Sequence, residues 1–145
     1  MIEEQTSSNP IFTYLKKQHV LSLSCSFNDD IWCANCFYAF DEDSVAFYLM
    51  TSTESRHSQL MHKNNLVAGT VNGQPKNIGL IKGVQYKGAI SLLTDENITN
   101  ALSLYTKRFP IAKIKSLPLW EIEISELKFT NNVLGFGKKL EWYRK

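Results

Sequence analysis

Apolar positions along this chain keep a period of two over most of its length and a helical period over three short stretches. Val20, Leu21, Leu23, Cys25 and Phe27 read as a first strand, and Asn28-Asp29-Asp30 supplies turn chemistry. Ile31 to Phe40 is a second strand, apolar on both faces; only Asn35 is polar at its centre. Such a strand is buried on both sides, which calls for a closed barrel wall pressed against a second subunit or a ligand. Asp41 to Ser44 turns the chain into a third strand, Val45 to Met50, and Leu66 to Val71 is a fourth. Asn72-Gly73 favours a tight hairpin turn, which Pro75-Lys76-Asn77 lengthens into a loop. Ile78 to Leu93 reads as a long strand bent at its glycines. Pro118 opens an edge strand in which Trp120, Ile122 and Ile124 alternate with Glu121, Glu123 and Ser125. Leu127 to Thr130, an Asn131-Asn132 turn and Gly137 to Arg144 complete the β pattern.

Helices occupy the connections. Asn9-Pro10 is an N-cap followed by proline, with Ile11, Tyr14 and Leu15 on one face and Lys16 and Lys17 in the last turn. Met1 to Ser8 before it is polar and expected to fray. Asp95 to Phe109 carries a stripe of Ile98, Ala101, Leu102, Tyr105 and Phe109, stops at Pro110, and is followed by a short helix over Ile111 to Leu117. A further helix follows Met50, where Thr51 and Glu54 have capping-box spacing and Leu60 and Met61 face inward. Seven strands with about three peripheral helices make an α+β, mainly β domain: an antiparallel barrel spanning 1–145.

Bulk properties narrow the function. A 145-residue chain that is 43% hydrophobic builds a core, and a net charge of +2 gives no nucleic-acid face. No apolar run reaches membrane-spanning length, and the polar start has no signal-peptide character. Three cysteines, an odd number, suit free thiols in a cytoplasmic protein. Cys33 and Cys36 have the CxxC spacing. On a strand, however, residues three apart point to opposite faces, so they read as two unrelated buried thiols. His19, His57 and His62 lack ligand spacing, and no metal site is expected. Gly135 to Lys139 only faintly resembles a phosphate loop. Glu121 and Glu123 read as the solvent side of their strand, and the tryptophans as packing residues.

The sharpest chemical candidate is Thr51-Ser-Thr-Glu-Ser-Arg-His57. Backbone amides at a helix start, with Thr51, Ser55 and Arg56, would seat a phosphate. By residue physics alone, a capped helix with a surface arginine is the simpler account, because Glu54 adds an opposing charge.

Beyond these elements, KKQHV, WCANCFYAFD, VAFY, ESRHSQ, VAGTVNGQPK, IKGVQYKGAI, KRFPIAK, LPLWEI and KFTNNVLGFGKK together resemble the FMN-binding split-barrel superfamily, the pyridoxamine 5′-phosphate oxidase-like proteins. Within it the chain looks most like the small uncharacterised bacterial YhbP-like family. The resemblance implies a split β-barrel homodimer with FMN between the subunits, serving as a flavin-dependent oxidoreductase or, alternatively, as a binding module or dimer scaffold without flavin chemistry. It places Thr51, Ser55 and Arg56 at the phosphate, with His57 where lysine is usual, and counts Met50 among the cofactor-binding residues. The backbone of Asn35, Cys36 and Phe37 would lie along the flavin ring, and Gln85 would reach the cofactor from a later strand. No counterpart of the oxidases' C-terminal substrate-binding arginine and histidine is found in EWYRK.

Overall fold

A computed structural model describes residues 9–115, 117–132 and 139–145. The expected fraying of Met1 to Ser8 and the glycine segment from Gly135 lie outside them. Strands are β1 Val20–Phe27, β2 Asp30–Asp41, β3 Ala46–Met50, β4 Leu66–Asn72, β5 Lys82–Leu92, β6 Leu119–Asn131 and β7 Lys139–Tyr143. Helices are α1 Pro10–Lys17, α2 Arg56–Lys63 and α3 Ile98–Arg108. The sheet runs β3-β2-β1-β4-β5-β6-β7, all antiparallel, and β3 also pairs with β6, so six strands close a ring.

The ring is split along one edge of β6. Leu119 to Glu123 pair with β3, whereas Glu126 to Thr130 pair with β7. Between them, Ser125 is the extra residue of a bulge opposite Lys87 and Gly88, and its hydroxyl donates to the Lys87 carbonyl at 3.0 Å. Arg144 spans the divergence. Its guanidinium donates to the carbonyls of Ile124 at 2.7 Å and of Ser44 and Val45 at 2.8 Å, while its amide donates to the Ser125 carbonyl at 2.9 Å.

Inward side chains fill the barrel: Leu21, Leu23 and Cys25 of β1, Tyr38 and Phe40 of β2, Phe47 and Leu49 of β3, and Ile122, Ile124 and Leu127 of β6. One barrel end is covered by α1, where the Tyr38 hydroxyl donates to the Leu15 carbonyl at 2.6 Å. The other is covered by α2, whose C-cap Asn64 donates to the Ser26 carbonyl at 2.8 Å. On the flank, α3 lays Ala101 and Tyr105 on Ala39, Ala46, Tyr48 and Leu119, a second core outside the barrel.

Several local expectations change. The strand expected from Ile78 starts at Lys82, because Asn77 caps a 3-10 turn over Ile78–Leu80. A 3-10 turn at Asp95–Asn97 precedes α3, and another at Pro110–Lys113 replaces the short helix. The strand after Pro118 is interior, not an edge: it pairs with β5 on one side and with β3 then β7 on the other. Thr51 and Glu54 form no capping box; Ser55 is the N-cap of α2 and accepts from the Ser58 amide.

Strand β2 carries the largest difference. From Tyr38 to Phe40 both faces are covered, but Ile31, Trp32, Cys33, Asn35 and Phe37 are exposed on this subunit. Cys36 is buried and Cys33 is not, so they are not two buried thiols. Their opposite orientation follows from the pleat.

Candidate functional site

The chain leaves β3 at Met50 and is pinned where it turns. The Thr51 amide donates to the Pro118 carbonyl at 3.1 Å, and the buried Trp120 indole donates to the Thr51 carbonyl at 3.1 Å. The loop then doubles back, so that His57, in the first turn of α2, faces Thr51. His57 Nε2 lies 2.8 Å from Thr51 Oγ1 and 3.1 Å from Ser55 Oγ. Ser55 donates to Ser58 Oγ at 2.8 Å, and Ser58 donates to the Ser52 carbonyl at 2.6 Å. Burial holds the imidazole below its ordinary value, so it joins this network neutral. The structure thus brings Thr51, Ser55 and His57 together, with hydroxyls that satisfy one another through the ring.

Arg56 faces elsewhere. Its Nη2 donates to Asp30 Oδ1 at 2.9 Å, and its guanidinium carbon lies 3.9 Å from the centroid of the Trp32 ring. The pair sits on the barrel end beside α2, about half exposed on each side.

Behind Met50 lies an apolar cleft of about 280 Å³. Met50, Phe37, Tyr105, Phe109, Ala112 and Lys115 are among its lining residues. The Phe109 ring packs 5.4 Å from Phe37 and 5.1 Å from Tyr105, and the Tyr105 hydroxyl donates to the Phe37 carbonyl at 3.4 Å. His19 stands at its margin, its ring 6.4 Å from Phe109. By helical period alone, Tyr105 and Phe109 are a stripe and nothing more. The aromatic pair four residues apart, ending at Pro110, was the signal that they also wall a cleft.

Asn35 and Gln85 mark the two ends of one row on the outer face. Asn35 opposes Ser22, the Ser22 and Thr70 hydroxyls meet at 2.8 Å, and Thr70 opposes Gln85. Three strand spacings separate the ends, about 14 Å, so within one subunit Gln85 does not meet the Phe37 cleft. Cys36 turns into the core, where burial pushes its thiol up to about 11; only its backbone faces β1 and the outer row.

A closed antiparallel ring split along one strand, with helices over both ends and a cleft on its flank, defines a split-barrel protein. Solved structures agree. A heme binding protein from Mycobacterium smegmatis superposes with a TM-score of 0.72 at 13% identity, covering 87% of this chain and 53% of that one. A FAD-binding protein from Mesorhizobium loti gives 0.67 at 15%, covering 81% and 88%. A Listeria innocua protein assigned as a pyridoxamine 5′-phosphate oxidase gives 0.66 at 17%, covering 88% and 99%. At these identities the likeness is one of fold. No protein-family model matches the chain. By sequence the chain belongs to the UPF0306 family: it is 53% identical over 131 residues to a UPF0306 protein of Yersinia pseudotuberculosis, covering 90% of this chain and 89% of the relative. A Klebsiella pneumoniae member is 51% identical over the same length, with the same coverage. Among the described residues, no helix is long and apolar enough to cross a membrane.

Proposed function

We propose that this chain is a cytoplasmic flavin-binding protein that holds FMN between two copies of itself. The observation that supports this reading is the continuity of two unlike surfaces through Met50 and Thr51. On one side lies the aromatic cleft of Phe37, Tyr105 and Phe109, which suits a planar ring. On the other lies the hydroxyl and imidazole cluster of Thr51, Ser55 and His57, which suits a polar tail.

The fit is good at the ring end and incomplete at the phosphate end. Arg56 must exchange Asp30 for the phosphate; an exposed ion pair is worth little, so that exchange costs about 1 kcal/mol or less. A cleft of about 280 Å³ falls just short of the usual size for small-molecule sites, about 300–1,000 Å³, so a second subunit is needed to enclose the cofactor. The exposed outer row ending in Gln85 is the surface that subunit would bring. When bound, the flavin supplies the redox chemistry of an oxidoreductase, and the chain contributes position and electrostatics.

Fluorescence titration of FMN with the purified protein tests this directly. Quenching that saturates is expected, and Arg56→Ala should weaken it by about tenfold or more, the loss of a charge-assisted contact. A flat titration of the wild type removes the reading.

A second reading is favoured by His19. Its exposed imidazole beside the Phe37 and Phe109 rings would suit a planar iron porphyrin better than a flavin. A Soret band appearing on hemin addition, and lost in His19→Ala, would select it over FMN.

A further inference from the structure

A larger groove lies at the barrel end under α1, on other elements than the Phe37 cleft and the α2 cluster. Its volume is about 760 Å³, within the range of small-molecule sites. One wall is the side of α1 and its C-cap, with Tyr14, Lys17 and Gln18. The other wall and floor come from the segment after β4 and the ends of β5 and β6, with Leu80, Lys82 and Phe129.

Two features of the groove are chemically specific. Its aromatic surface is the half-buried Tyr14 ring, backed at 5.1 Å by the buried Phe129 ring, with the Tyr14 hydroxyl turned aside to donate to the Lys82 carbonyl at 3.3 Å. Its charge is one-sided. Among the described residues, Lys17 and Lys82 line it with no carboxylate, and the segments 9–19, 72–82 and 127–132 contain no Asp or Glu.

We propose that this groove is a second binding site, for an aromatic carboxylate whose ring lies on Tyr14, which Phe129 backs from the core, and whose anion meets Lys17 and Lys82. A bare inorganic anion would leave the Tyr14 ring uncovered, and a neutral ring would leave both lysines without an anion. The amide of Gln18 adds a polar contact at the same rim.

Amide chemical-shift mapping of the full chain with 2-naphthoate tests the assignment, with 2-naphthamide as the uncharged body and inorganic phosphate as the bodiless anion. Saturable shifts are expected at Tyr14, Lys17, Gly73, Lys82 and Phe129. The amide and phosphate should bind at least tenfold more weakly, and Lys17→Ala/Lys82→Ala should weaken naphthoate at least tenfold without changing the melting temperature. Should the double variant fold poorly, Lys17→Gln, on the exposed face of α1, is expected to weaken binding severalfold by itself. Arg56→Ala should leave this binding unchanged, whatever it does to FMN. The proposal is overturned by shifts centred on Phe37 and Met50, by equal binding of 2-naphthamide, by wild-type affinity in the lysine variants, or by no saturable shift.

Discussion

Arg56 Nη2 sits 2.9 Å from Asp30 Oδ1, and this pairing competes with any anion for the guanidinium. The two residues come from the helix start and from the first residue of β2, so the pair also ties α2 to the barrel mouth. Because both side chains are half exposed, Asp30→Asn should change stability by about 1 kcal/mol at most. It should tighten FMN severalfold by releasing the guanidinium. In the double variant with Arg56→Ala the gain should vanish, since Asp30 acts only through Arg56. Fluorescence titration of the four proteins measures this, and wild-type affinity in Asp30→Asn would refute the competition.

The second prediction concerns pH. His57 is held below its ordinary value by burial, so the unfolded chain takes up the proton first as pH falls. Its contribution to stability is therefore complete above about pH 6.5 and is lost as pH drops through that value toward the folded one. Melting temperatures of the wild type should fall between pH 7.5 and 5 more steeply than those of His57→Gln. Parallel slopes would mean that the imidazole stays solvated and the Thr51 contact is incidental.

How much of this could be read from residues alone follows from how local each cause was. Asn9 caps α1 as its spacing foretold, accepting from the Ile11 amide at 2.9 Å, because a cap depends on neighbours two residues away. The α3 stripe was legible for the same reason. Thr51 and Glu54 misled because capping-box spacing says nothing about where Pro118 and Trp120 pin the chain. That pinning moves the cap to Ser55 and turns Thr51 toward His57. Nor could the pattern show that Arg56 meets Asp30, 26 positions earlier, since only the β2 and α2 packing brings them together. The doubly apolar β2 is expected to be buried on both faces, and its pattern cannot separate the half covered by α3 from the half this subunit leaves open.

The resemblance assigns the arginine of EWYRK no role, and the structure gives it one. Arg144 closes the split between β3 and β7 through the carbonyls of Ile124, Ser44 and Val45. Val45 has a φ of 51°, unusual for a β-branched residue, and its carbonyl also accepts from the Ile124 amide at 3.2 Å. Removing the guanidinium leaves these acceptors short of partners. Arg144→Ala should cost about 2 kcal/mol and lower the melting temperature by on the order of 5 °C. Arg144→Lys should recover only part of it, since an ammonium cannot fork across three carbonyls. A variant melting with the wild type would show that the β7 pairing alone holds the seam.

The outer face of β2, β1 and β4 carries the last prediction. Ile31, Phe37, Leu66 and Val20 are exposed there at 68%, 58%, 56% and 39%, around a centre of small residues that includes Ser22, Ser24, Cys33 and Ala68. A flat face with small residues at its centre and apolar side chains around them suits a second copy across a two-fold axis, and a stable pair needs about 800 Å² from each partner. The cysteines report on this without any ligand. Burial pushes Cys25 and Cys36 up to about 11, so neither thiol reacts readily in the folded chain. Cys33 reacts readily only if its face is open. Wild-type protein should sediment as a dimer and label slowly with a thiol reagent. Ile31→Glu/Phe37→Asp should sediment as a folded monomer and label quickly at one site, and adding Cys33→Ser should abolish that label. Fast labelling of a wild-type monomer would leave the FMN reading without its second wall.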